Sequence, residues 1–177
     1  MGVPVRQDRS SRRRELGLRA QLEPLLGIPG IPRTMPPRCG RIDFDISGTA
    51  QGVWFNNAIT TPIQGVASLV TDNVLPDIQV FSIGAIGSSI DGIQYYLSTE
   101  ATGRVRRPFA SVTADGSVYC FDQLNRVRTL TAPNLVADLI VLLQLQADGR
   151  LRIEGRNEGA CGAGPWTFTA AAVTLDR

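Results

Sequence analysis

Residues 137–155 read ADLIVLLQLQADGRLRIEG, and this stretch decides the fold. Leu139, Val141, Leu143 and Leu145 alternate with other residues. Ala147-Asp148-Gly149 then interrupts, and Leu151 and Ile153 alternate with Arg150, Arg152 and Glu154. That pattern is a β-hairpin. A two-residue Asp-Gly turn would set Leu145 opposite Arg152, whereas a three-residue Ala-Asp-Gly loop sets Leu145 opposite Leu151 and Leu143 opposite Ile153. A one-residue slip sends every side chain to the wrong face, so the second register is expected. Its loop ends in Gly149, where a type I turn with a bulge needs a left-handed residue. Arg152 then falls on a face expected to meet water.

Ala114-Asp115-Gly116 repeats the device between residues 106–113 and 117–123, with Val112 facing Val118, Ala110 facing Cys120 and Phe109 facing Phe121. Earlier, Ile42, Phe44 and Ile46 alternate with Asp43 and Asp45, and Gly48-Thr49 fits a type II′ turn into residues 50–56. Further strands are expected at 65–72, 78–85, 93–98 and 167–175. The helical period is nowhere sustained. About eight to ten short strands with Gly-rich turns and no helical crossovers predict an all-β, antiparallel β-barrel, with a β-sandwich as the alternative. Strands apolar on both faces (residues 139–143; Val80, Phe81 and Ile83) favour the barrel.

The chain has 177 residues, 43% of them hydrophobic. That suits one core, since domains usually run to roughly 100–150 residues. No apolar run reaches the roughly 18–20 residues of a membrane helix, and aromatics at 6% are few for an outer-membrane barrel with two aromatic girdles. All 18 basic residues are Arg, and there is no His. The usual neutral-pH base and commonest metal ligand are therefore missing, which excludes Ser-His-Asp, Cys-His and zinc-hydrolase schemes. Residues 1–38 carry eight Arg against Asp8, Glu15 and Glu23, a net of +5; residues 39–177 carry ten Arg against 13 acids, a net of −3.

The division expected is an Arg-rich, disordered tail over 1–38 and a barrel domain over 39–177. The tail holds Arg12-Arg13-Arg14, a short amphipathic stretch from Glu15 to Leu26, and prolines at Pro32, Pro36 and Pro37. Its apolar segment is interrupted by Arg19, Gln21, Glu23 and Pro24, unlike a signal peptide, and Met35 is an alternative start. No aromatic residue interleaves the basic cluster, so no nucleic-acid partner is expected.

Gly52-Val53-Trp54-Phe55 resembles the Gly-x-Trp signature of lipocalins and the wider calycin barrels, where the Trp closes one barrel end. Thr71-Asp72-Asn73 is similar to the start of the lipocalin Thr-Asp-Tyr loop, and Arg150 or Arg152 is the candidate for the late Arg that packs on the Trp. The run over 41–177, from the Asp45-Ile46-Ser47-Gly48 opening through Trp54-Phe55 to the late hairpin, also resembles bacterial barrel proteins, which implies no function. The lipocalin resemblance implies a calycin-like barrel that binds a small apolar ligand.

The candidate ligand-lining residues are Trp54, Tyr95, Tyr96, Phe109 and Tyr119, with Phe121 beside them. Filling the core is the competing role of these rings. No catalytic residue, cofactor or metal site emerges. Asp43 and Asp45 read as a solvated strand face, and Asp115 and Asp148 as turn residues. Gly84, Gly87, Gly92, Ser88, Ser89 and Asp91 read as a flexible polar loop without the Lys of a phosphate loop. Arg104, Arg106 and Arg107 read as a charged edge. Three Cys leave at least one without a partner in the chain: Cys120 is expected as a free buried thiol, with Cys39 and Cys161 as the candidate pair. The function expected is non-enzymatic binding of a small apolar ligand or a protein partner. The alternative is a His-independent isomerase or cyclase, which requires a buried carboxylate beside a cavity.

Overall fold

The computed structural model describes residues 17–18, 20–22, 25–28, 31–33, 44–59, 64–90, 92–98, 103–126 and 138–177. Most of the expected disordered tail, with Cys39, Asp43 and Asp91, lies outside the described residues. Two compact units result. The smaller comprises Met1–Arg41 with Asn73–Leu75; within it β1 (Gly27–Ile28) pairs antiparallel with β2 (Ile31–Pro32), and Arg33 donates to the Asn73 side chain at 3.2 Å.

The larger unit, Ile42–Asp72 with Pro76–Arg177, is all-β. Its strands are β3 (Gly52–Phe55), β4 (Val66–Thr71), β5 (Ile78–Ile83), β6 (Gly92–Leu97), β7 (Tyr119–Phe121), β8 (Ile140–Leu145), β9 (Leu151–Arg156) and β10 (Val173–Leu175). They form two four-stranded antiparallel sheets, ordered β3-β4-β5-β6 and β10-β9-β8-β7. No continuous ladder closes them into one cylinder among the described residues. Each edge nevertheless meets the other sheet through one isolated pair. Phe55 and Asp176 exchange amide hydrogen bonds of 2.7 and 2.8 Å, as do Tyr95 and Asn125. Among the described residues no helix is long and apolar enough to cross a membrane.

The deciding hairpin has the expected register, with Leu143 opposite Ile153 and Leu145 opposite Leu151. Gln146 and Arg150 close the loop at 2.8 Å, and Gly149 takes φ +84°. Alternation buries Val141, Leu143, Leu145, Leu151 and Ile153 in the main core between the sheets. Ile140 and Leu142 point the other way, into a second, smaller core with Cys120 and Cys161. The strand is apolar on both faces because both faces are covered. The side of β9 expected to meet water is covered too, for Arg152 lies over the Phe168 ring, 4.5 Å from its centroid.

Three local expectations are corrected. The stretch 106–113 is not a strand: Pro108 leads into a 3-10 turn, Phe109–Ser111, which sends Phe109 and Val112 into the core together. β7 pairs instead with β8, Tyr119 facing Leu143. Residues 44–46 are not a strand either. The tight turn there runs from Ile46 to Thr49, with Gly48 at φ +75° as its third residue rather than its second. The final strand is only Val173–Leu175, since residues 157–172 cross the outer face of the second sheet irregularly.

The loop read as flexible and polar is docked. Ile86 and Ile90 are buried in the core, Asn56 donates to the Ile86 carbonyl at 2.8 Å, and Ser89 donates to the Gly155 carbonyl at 2.5 Å. Gly155 is required there, because a Cβ would collide with the Ile90 side chain and sit 3.0 Å from Ser89 Oγ.

Urea titration is expected to show both glycine constraints. Gly149→Val loses about 1–3 kcal/mol through left-handed backbone strain. Gly155→Ala loses about 1–3 kcal/mol through overpacking against Ile90. Wild-type midpoints for both variants would contradict the loop geometry and the docked 86–90 segment.

Candidate binding cleft

The candidate site is built on the outer face of β7 and β8. Tyr119 and Phe121 point into the main core, so Cys120 between them emerges on the opposite side. There it is bonded to Cys161, with Cα atoms 5.8 Å apart. This corrects both cysteine expectations: Cys120 is not a free thiol, and the partner of Cys161 is Cys120 rather than Cys39.

The segment after β9 is then fixed point by point. Cys161 donates its amide to Asp122 Oδ2 at 3.1 Å, and Arg106 Nε lies 3.4 Å from the other Asp122 oxygen. The Trp166 indole N–H is donated to the Cys161 carbonyl at 2.5 Å, which sets the plane of the ring. Arg156 donates to the Thr167 carbonyl. Thr169 donates its amide and hydroxyl to Glu154 at 2.8 and 2.7 Å.

Between this segment and the stretch before the 3-10 turn lies a cleft of about 440 Å³, lined by Arg104, Val105, Gly162, Ala163, Gly164, Pro165 and Trp166.

None of the five expected ligand residues lines it. Trp54, Tyr96, Phe109 and Tyr119 belong to the main core. Phe81, Tyr96, Phe109 and Phe121 contact one another in every pairing, with centroids 4.8–5.7 Å apart. Tyr95 is half-buried on the outward face of β6, beside Val80. The Tyr96 hydroxyl donates to the Arg107 carbonyl at 2.7 Å, and burial raises its pKa well above the ordinary tyrosine value. Burial and the bond to Asp115 push Tyr119 up to about 12. Both therefore stay protonated donors at neutral pH.

Trp54 sits at the other functional-looking feature. Its indole N–H is donated to the Ala50 carbonyl at 2.9 Å, and the Arg177 guanidinium lies 4.3 Å from its ring centroid. Arg177 also donates to the Thr49 and Gln51 carbonyls at 3.0 and 2.8 Å. The cation on this Trp is thus Arg177, not Arg150, which pairs with Asp148, nor Arg152, which covers Phe168. Asp45 is not simply solvated: it accepts the Val53 amide at 2.8 Å and lies 3.9 Å from Arg177.

Glu154, read as part of a polar face, is 1% exposed. Burial pushes its carboxyl up, but hydrogen bonds from Arg156 and Thr169 outweigh this and hold it below the ordinary glutamate value. Among the described residues no three His, Cys, Asp or Glu side chains cluster as a metal site. The sequence reading singled out Arg104 but missed Trp166 and its loop; the Gly-Ala-Gly-Pro run before the Trp is the signal for an irregular segment. No family model, curated protein or solved structure matches the chain.

Two outcomes check this construction. Closing a loop of 41 residues removes about 4 kcal/mol of unfolded-chain entropy in the simple chain model. The paired Cys120→Ala, Cys161→Ala variant is therefore expected to lose about 2–4 kcal/mol in urea; an unchanged midpoint would contradict it. Glu154→Gln is expected to lose about 1–3 kcal/mol at neutral pH by leaving Arg156 poorly paired. Because the folded carboxyl is lowered, the wild-type advantage is complete above the unfolded value, about 4, and shrinks as pH falls through the folded one. A pH-independent difference would mean that Glu154 is not held as its charged form.

Proposed function

We propose that the chain is a non-enzymatic binding domain of calycin-like barrel build that takes a small, largely apolar ligand on its outer surface, in the Arg104–Trp166 cleft. The observation that carries this reading is a contrast. Rings in mutual contact occupy the space between the sheets, while the cleft outside them is open and has the volume of ordinary small-molecule sites, roughly 300–1,000 Å³. The two single-pair seams, Phe55 with Asp176 and Tyr95 with Asn125, support a barrel. So does Arg177 stacked on Trp54, which stands where the resembling family has its late Arg.

The isomerase or cyclase reading asks for a buried carboxylate with an oxygen to spare. Glu154 spends both oxygens on Arg156 and Thr169; Asp122 accepts the Cys161 amide through one oxygen, its other lies 3.4 Å from the Arg106 guanidinium without a hydrogen bond, and it is not among the residues that line the cleft. A protein partner is the second reading, favoured by the outward face of β3–β6. Its strand positions carry no charge, and Phe55, Ile93 and Leu97 there are 44%, 48% and 49% exposed.

An NMR screen of small apolar fragments tests the cleft. Shifts are expected at the amides of Val105 and residues 162–164 and at the Trp166 indole, with the methyls of Leu69, Ile83, Leu143 and Ile153 unmoved. Shifts centred on those core methyls would place the ligand between the sheets and overturn the reading. Concentration-dependent broadening confined to Phe55, Ile93 and Leu97 would instead favour the protein-partner reading.

A further inference from the structure

We infer that the cleft is selective for a compact monoanion, an aromatic or aliphatic carboxylic acid whose carboxylate meets Arg104 while its apolar body lies against Trp166. This rests on the cleft being the binding site. Three neighbouring arginines differ in what they contact. Arg106 is engaged by Asp122 and the Gln123 side chain. Arg107 lies over the Tyr119 ring at 5.5 Å and donates to the Gly103 carbonyl. Arg104 is exposed, and its side chain enters no ion pair or hydrogen bond among the described residues. It is also the one of the three that lines the cleft.

Among the described residues the remaining lining, Val105 and residues 162–166, contains no ionisable side chain, so the described wall carries a single formal charge, and it is positive. Asp122, the acid bonded to neighbouring Cys161, is neutralised by Arg106. A neutral ligand would leave the guanidinium unused. A cation would be repelled. A dianion would bring a second charge that no second cation of the described lining meets. A guanidinium binds a carboxylate through parallel N–H donors, and ring faces such as that of Trp166 favour flat apolar groups.

Preorganisation strengthens the case. The indole plane is set by its bond to the Cys161 carbonyl, and Cys161 is held by Cys120 and by Asp122. Little side-chain freedom is therefore lost on binding at that wall, which is where affinity otherwise leaks away.

The test compares 2-naphthoate with its uncharged isostere 2-naphthamide on the full chain, by calorimetry and by the Trp166 indole and Val105 amide shifts. The acid is expected to bind at these resonances at least about tenfold more tightly than the amide, as a charged hydrogen bond implies. The preference should fall as salt rises, because the cation is exposed. Arg104→Gln should abolish it while retaining amide binding, and Trp166→Leu should weaken both ligands together. Equal affinity of acid and amide at the cleft would overturn the charge inference and leave the cleft reading standing. Failure of both to move the cleft resonances would overturn the cleft reading itself. A preference for the acid that survives Arg104→Gln would also overturn the inference, because another cation would then be responsible.

Discussion

Four rings, each from a different piece of chain, make contact with one another at the centre of the larger unit. Phe81 comes from β5, Tyr96 from β6, Phe109 from the 3-10 turn and Phe121 from β7. Aromatic side chains bury large areas and prefer edge-to-face contact, and four of the six pairings here are edge-on. Their packing sets the spacing of the two sheets and requires residues 106–113 to leave strand conformation so that Phe109 can enter. The polar ends are then met locally, the Tyr96 hydroxyl by the Arg107 carbonyl and the Phe109 amide by Gln79 at 3.2 Å.

The four rings pack at the centre, and the Arg104–Trp166 cleft lies outside them. The two sheets differ there. The β7–β10 sheet is covered by its own chain: the Cys120–Cys161 bond, the Trp166 and Phe168 rings and the Glu154–Thr169 contact hold residues 157–172 over it and leave a cleft at its rim. The β3–β6 sheet presents uncharged side chains outward. Under the covering segment Glu154 is hydrogen-bonded to Arg156 and Thr169, and Asp122 accepts the Cys161 amide with Arg106 beside it, which offsets the cost of their desolvation.

The hairpin at 140–156 was legible in the sequence because side-chain parity and a left-handed Gly149 act locally and agree. The stretch 106–113 misleads because Phe109 and Val112 are three apart. A strand would put those two on opposite faces, whereas one tight turn takes both into the core; Ala110 and Val112 alternate as in a strand and hide this. Cys120 was legible in principle: Tyr119 and Phe121 face inward, so the residue between them must face out. Its partner was not, since the path of 157–172 has no period. Trp54, Tyr96, Phe109 and Tyr119 were recognisable as interior residues, but a ring that lines a cavity and a ring that fills one leave the same mark on a sequence. Arg177 reaches Trp54 across 123 positions, a distance at which no local pattern operates.

A ligand site outside the sheets requires a full interior. A crystal structure of the protein under xenon pressure tests this most directly, because xenon enters empty apolar cavities without needing a polar partner. The packed rings predict no xenon among Phe81, Tyr96, Phe109 and Phe121. An occupied xenon site among those four rings would contradict the account and return the ligand to the space between the sheets.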